Sequence, residues 1–233
     1  MSSRRKTKDC PWYKGLSLTA RKSVFKSVYS NMIRAVIFDW GGVLIENPAK
    51  DIITWCAKGI GVEPGRFAQS FRDAEPDFQS GRIDEKTFWN RTCAGLGVPP
   101  PERAGLWGEA LRNAYRPRPA LFALVEKLRR TGIKTALLSN TEMPAVDLYH
   151  ERHEGAFDVV VLSCLEGLRK PGREIYLKTL ERLGVAAKDA LFIDDRSENA
   201  AAAQAIGMAT ICDGAEQDIL TGIARFIPSL SNI

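Results

Sequence analysis

The chain has 233 residues, 45% hydrophobic and 26% charged, which suits one large globular domain or a core with a smaller insertion. No uninterrupted apolar run approaches the roughly 20 residues needed to cross a bilayer, so a soluble body without a membrane partner is expected. The formal charge of +5 is unevenly placed: before Met32 there are eight Lys and Arg against one acid, Asp9, a segment charge of +7 that leaves the rest at −2. A nucleic-acid footprint is a basic patch on the folded domain; the body has no cationic excess, and no nucleic-acid partner is expected.

Residues 1–31 come first in chain order, rich in Ser, Lys and Arg and poor in acids. Three readings fit: an organelle transit peptide, a disordered basic tail, or residues upstream of a translation start at Met32, which is preferred. No continuous apolar stretch of a secretory signal is present. The five cysteines are odd in number and scattered, with no CxxC pair and only two histidines beside them. A zinc site is therefore not expected, and reduced thiols in the cytoplasm are.

From Met32 onward, short apolar runs rich in β-formers recur at AVIF (35–38), KTALLS (134–139), DVVVLS (158–163), ALFID (190–194) and MATIC (208–212). Each is nearly continuous rather than alternating, as in strands covered on both faces. Amphipathic helical stretches separate the later ones. PALFALVEKLRRTG has Pro119 near its start and Gly132 after its end; GREIYLKTLERLG puts Ile175, Tyr176, Leu180 and Leu183 on one face and stops at Gly184. Strand alternating with helix predicts an α/β fold with a doubly wound parallel sheet.

Between Leu44 and Pro119 no buried strand is seen. Helical patterns fill the gap, among them AKDIITWCAKGIG and IDEKTFWNRTCAGLG, the second with Asp84 placed to cap it, and PPPERAG opens another. The expected organisation is a basic extension over 1–31, a Rossmann-like core over 32–46 and 119–233, and a helical cap over 47–118.

In an open parallel sheet, ligands bind beyond the carboxyl ends of the strands. Those ends carry Asp39, then Ser139-Asn140-Thr141, then Asp194-Asp195, with Lys170 and Pro171 before the helix that follows the third strand. Three clustered carboxylates repel and need a cation to coexist ionised; an all-oxygen set of this kind favours Mg²⁺. Lys170 can neutralise phosphate charge and keep Asp39 deprotonated, while Ser139 and the backbone N–H groups around Asn140 can cradle phosphate oxygens. Gly41 and Gly42 let the main chain turn sharply beside them. The histidines, His150 and His153 in YHERHEG, are expected to be solvated. Trp40 should point into packing, and Trp55 and Trp89 are candidates for lining a substrate entrance.

FDWGG (38–42), LLSNT (137–141), RKP (169–171) and FIDDRSEN (192–199), with the cap-like SGRIDEKTFW (80–89), resemble the motifs of the haloacid dehalogenase superfamily across the whole body. The resemblance implies a small phosphorylated substrate and Asp39 as the nucleophile forming an aspartyl-phosphate. Ser139, Asn140 and Lys170 would bind phosphate. Asp39, the Gly41 carbonyl, Asp194 and Asp195 would hold Mg²⁺, with Asn199 behind them.

One position departs from that pattern. Phosphatases of the superfamily usually carry a second acid where this chain has Gly41, and general acid–base help is worth about 10²–10⁴-fold. Glu46, Asp51 or Glu142 could substitute; a sugar-1-phosphate, with its good leaving group, would need less protonation; or turnover could be lost, leaving a phosphate-ligand-binding protein. The Asp-x-Gly pattern is similar to that of sugar-1-phosphate phosphatases in the superfamily. Metal-free 2-haloacid dehalogenases also lack the second acid, but Asp194-Asp195 argues against their chemistry.

Overall fold

The computed structural model describes residues 33–228; the basic segment over 1–31 lies outside them. Five parallel strands form one sheet in the order β3-β2-β1-β4-β5: β1 (Ala35–Phe38), β2 (Lys134–Ser139), β3 (Val159–Leu162), β4 (Ala190–Asp194) and β5 (Ala209–Cys212). All five expected runs are strands. β1 is central and pairs with β2 on one side and β4 on the other. Its side chains divide by pleat: Val36 and Phe38 join one apolar cluster, Ala35 and Ile37 another. That is why the run has no polar alternation: both faces of the strand are covered.

Between β1 and β2 the chain forms α1 (Ala49–Gly59), α2 (Pro64–Gln79), α3 (Glu85–Leu96), α4 (Leu106–Ala114) and α5 (Pro119–Arg130). Asp84 caps α3 as expected, its carboxylate accepting the Thr87 N–H at 2.8 Å. The prolines of PPPERAG precede α4 rather than enter it, and Gly105 starts that helix from a left-handed conformation. α2 was less legible, because it carries Pro76 inside. It forms nonetheless around a buried cluster of Phe67, Phe78, Phe88, Trp89 and Trp107. Burying several aromatic rings outweighs the roughly 3 kcal/mol that an interior proline costs.

The rest of the chain alternates strictly. α6 (Met143–His153) follows β2; α7 (Ser163–Glu166) and α8 (Arg173–Leu183) follow β3; α9 (Ser197–Ala205) follows β4; α10 (Glu216–Phe226) ends the described chain. α8 buries Ile175, Tyr176, Leu180 and Leu183 on the sheet, the face its periodicity predicts. α2 is pressed against α7 where it ends. A Cβ placed on Gly81, whose φ is +67°, would lie 2.1 Å from the Cys164 carbonyl oxygen, and the buried Ser163 hydroxyl donates to the Gln79 carbonyl at 2.5 Å. Among the described residues no helix is long and apolar enough to cross a membrane.

Two expectations about side chains are corrected. His153 is half-buried rather than solvated. It stacks on Phe122 at 4.3 Å and meets the Tyr115 hydroxyl at 2.5 Å, and burial lowers its pKa. α6 turns it inward, an orientation that the polar string YHERHEG concealed; His150 is exposed as expected. Trp55 and Trp89 do not line the cavity above the strand ends, where Trp107 and Phe71 stand instead. Trp89 is buried, its indole N–H donating to Glu85.

Candidate active site

The strand order reverses direction at β1, and the carboxyl ends of β1 and β4 lie side by side there. β1 ends into Asp39, and β4 ends on Asp194, followed by Asp195. One carboxylate oxygen from each of the three lies within 4.8 Å of the others. Residues 155 positions apart in sequence thus meet because two parallel strands stop in register, Phe38 opposite Ile193.

Lys170 reaches this cluster from the loop before α8. Its ammonium, 1% exposed, contacts Asp39 Oδ1 at 2.8 Å and Asp194 Oδ2 at 2.7 Å, and donates to the Leu138 carbonyl at 2.9 Å. An ammonium has three protons, and all three are engaged. Burial acts to lower its pKa, but Asp39 and Asp194 outweigh burial and hold it above the ordinary lysine value. Asp39 Oδ1 also accepts the Trp40 N–H at 2.7 Å; no hydrogen bond from a described residue reaches Oδ2. Burial pushes the Asp39 carboxyl up to about 7 against the pull of Lys170. Asp195 is raised by burial and by the neighbouring Asp194.

Asn199, one turn into α9, donates its amide to both oxygens of Asp194 at 3.0 Å, and the Arg196 N–H adds a bond at 2.9 Å. Asn140 and Lys170 are clamped reciprocally: the Asn140 amide donates to the Lys170 carbonyl at 2.9 Å and accepts the Lys170 N–H at 2.8 Å. This clamp sets the position of the lysine stem and uses one amide N–H and the amide oxygen of Asn140. Ser139, 4% exposed at the end of β2, lines the same cavity. Gly42 is required where it stands, since its φ is +87° and a Cβ would come within 2.3 Å of Asp195 Oδ2. Trp40 turns away into packing, edge-on to Tyr149 at 6.1 Å.

Three acids with one lysine leave the cluster short of positive charge, and all its donors are hard oxygens. That combination fits Mg²⁺ better than a soft or imidazole-seeking metal. Asp39, Asp194 and Asp195 are the side chains able to hold it, with Gly41 beside them on the cavity wall.

The cavity above the cluster holds about 210 Å³. Of the three acids that could replace the one absent at Gly41, only Glu142 lines it; Glu46 and Asp51 are exposed and lie elsewhere. Glu142 is 5% exposed and accepts the Trp107 indole N–H at 3.1 Å, and burial pushes its carboxyl up to about 7. Glu75 and Gln79 of α2 also face the cavity and had no signal in the sequence beyond ordinary helix chemistry, and Arg196, inside the 192–199 motif, stands beside them. A larger cavity, about 500 Å³, opens at the opposite end of the sheet beside Arg34 and Lys134, but none of the acids reaches it.

A family model of haloacid dehalogenase-like hydrolases matches residues 33–207. The chain belongs to this family and is a hydrolase. It is 30% identical over 179 residues to the sesquiterpene phosphatase astK of Aspergillus oryzae, spanning 75% of this chain and 87% of that one. Among solved structures, a HAD-like hydrolase from Porphyromonas gingivalis superposes with a TM-score of 0.71 at 27% identity, over 84% of this chain and 98% of its own. A HAD family enzyme of Bacteroides thetaiotaomicron, solved with magnesium and inorganic phosphate, superposes at 0.65 with 24% identity, over 77% and 93%, a likeness of fold.

Proposed function

We propose that this hydrolase is a magnesium-dependent phosphatase that removes phosphate from a small phosphorylated metabolite, with Asp39 as nucleophile. The observation that carries the reading is the gathering of Asp39, Asp194 and Asp195 within 4.8 Å around one buried lysine. The relative named phosphatase, and the fold relative solved with magnesium and phosphate, support the same chemistry.

The bound cation would supply charge neutralisation, letting the carboxylates and a phosphate dianion share one corner. Lys170, pinned to Asp39 Oδ1, holds that carboxylate in one orientation and leaves Oδ2 free of hydrogen bonds from the described residues. Oδ2 attacks phosphorus, the ester P–O bond breaks, and the leaving oxygen takes a proton. Ser139 and the N–H groups at the end of β2 bind the non-bridging oxygens. Water then cleaves the acyl phosphate and regenerates Asp39. Glu142 is the group on the cavity wall that carries a proton near neutrality, and it takes the acid–base role that Gly41 leaves unfilled. The dehalogenase alternative would leave Asp194 and Asp195 without a task.

The test is steady-state hydrolysis of p-nitrophenyl phosphate. Turnover should require Mg²⁺, disappear with EDTA, and fall by on the order of 10⁴-fold or more in Asp39→Asn. Phosphate binding with no turnover under any metal would instead identify a ligand-binding member of the family.

A further inference from the structure

The cavity has two halves of opposite character. Its floor is the polar rim of the sheet. Its far wall comes from three helices: Ile52 and Ile53 from α1, Phe71 from α2, and Trp107 and Leu111, one turn apart, from α4, with Leu148 of α6 also lining the space. Phe71 and Trp107 stack with centroids 5.2 Å apart at 23°, which gives the wall a flat aromatic panel.

Polar side chains also line the cavity, and several of them are engaged with protein partners. Gln79 donates to Glu75 at 3.2 Å and accepts Arg169 at 2.7 Å. Glu142 accepts Trp107. Asn47 donates to Asp195 and accepts the Ala49 N–H. Arg196 is paired with Glu198 at 2.6 Å. A hexose would bring a ring of hydroxyls against the apolar side chains of Ile52, Ile53, Phe71, Trp107 and Leu111, and each hydroxyl left unpaired there is costly. A second anionic group fares worse. Among the described residues, apart from Arg196 at the rim and Lys170 in the floor, no lysine or arginine lines the cavity, while Glu75 and Glu142 do.

From this we infer that the substrate is the monophosphate ester of a compact, uncharged and predominantly apolar alcohol, aliphatic or aromatic, and not a sugar phosphate or a bisphosphate. The inference builds on the phosphatase reading and names its substrate class. Ile52, Ile53, Phe71, Trp107 and Leu111 set specificity; the floor residues do the chemistry.

The experiment compares kcat/KM for methyl, butyl and hexyl phosphate, phenyl phosphate, glucose 1-phosphate and fructose 1,6-bisphosphate. Across the alkyl series it should rise about fourfold per methylene that fits, the value of burying one CH₂ group. Hexyl and phenyl phosphate should exceed both sugar esters by tenfold or more. Phe71→Ser and Ile53→Thr should each flatten the hexyl-to-methyl ratio, with far-ultraviolet circular dichroism checking that the variants fold. A flat alkyl series, or a preference for either sugar ester, overturns the inference while leaving the phosphatase reading intact. Should no ester be hydrolysed, the phosphatase reading fails and the wall is judged by binding alone. Quenching of tryptophan fluorescence in Asp39→Asn by hexyl phosphate should then appear at concentrations at least tenfold below those needed for glucose 1-phosphate, and the reverse order overturns the inference.

Discussion

The strand-end floor and the helical wall over it are built by different physics. In the floor, the fixed side chains are polar and held by directional bonds: buried Lys170 by three acceptors, buried Asp194 by Asn199 and Arg196, half-buried Asn140 by the backbone of Lys170. In the wall, order comes from stacked rings, with Phe78 and Phe88 at 4.4 Å and Trp107 edge-on to both. Hydrogen-bond geometry fixes an atom to within tenths of an ångström, as a nucleophile requires. Apolar packing is tolerant of shape, as suits a surface that recognises a leaving group. The two regions should therefore respond differently to substitution.

The floor should yield most. Lys170→Met removes the cation between two buried carboxylates and should cost about 3–5 kcal/mol in urea unfolding, together with activity; a variant as stable as the wild type would mean that the ion triad is not formed in solution. In the wall, Phe88→Ala should cost a comparable but smaller amount, about 3–4 kcal/mol, through a cavity in the ring stack, with kcat falling less than it does for Lys170→Met. Equal losses of kcat in the two would erase the distinction between regions.

Glu142 sits on the seam and predicts a sign. Its folded pKa, about 7, lies above the ordinary 4.5, so its contribution is fully present below pH 4.5 and is lost as pH rises through about 7. Each unit of that shift is worth ~1.4 kcal/mol. Glu142→Gln should therefore gain stability relative to the wild type between pH 5 and pH 8, read as diverging urea midpoints; parallel midpoints would refute the buried, proton-bearing Glu142. The smallest effect is Ser163→Ala, which unpairs the Thr141 N–H and loosens the tie to Gln79. It should cost about 1–3 kcal/mol, with hydrogen exchange speeding up at Thr141 first.

How much of this could be read beforehand also divides by region. The floor was legible because parallel strands advertise their ends: an apolar run closing on Asp39 or Asp194 places that carboxylate without further knowledge. The reach of Lys170 and the gathering of the acids follow from strand order. The wall was not legible in the same way. Its helices could be expected, but which aromatic faces the cavity depends on how α1, α2 and α4 cross. Trp55 and Trp89 are as good candidates by composition as Trp107. Likewise Glu142 could be named beside Glu46 and Asp51, but only burial separates them.

Gly81 carries no chemistry, yet the contact it makes with the Cys164 carbonyl restricts how the helices over the site can move. At that corner the two backbones lie too close to admit even a β-carbon. A methyl group at this glycine would prise the joint apart, and a variant carrying it would look like a catalytic defect although no reacting atom had been altered.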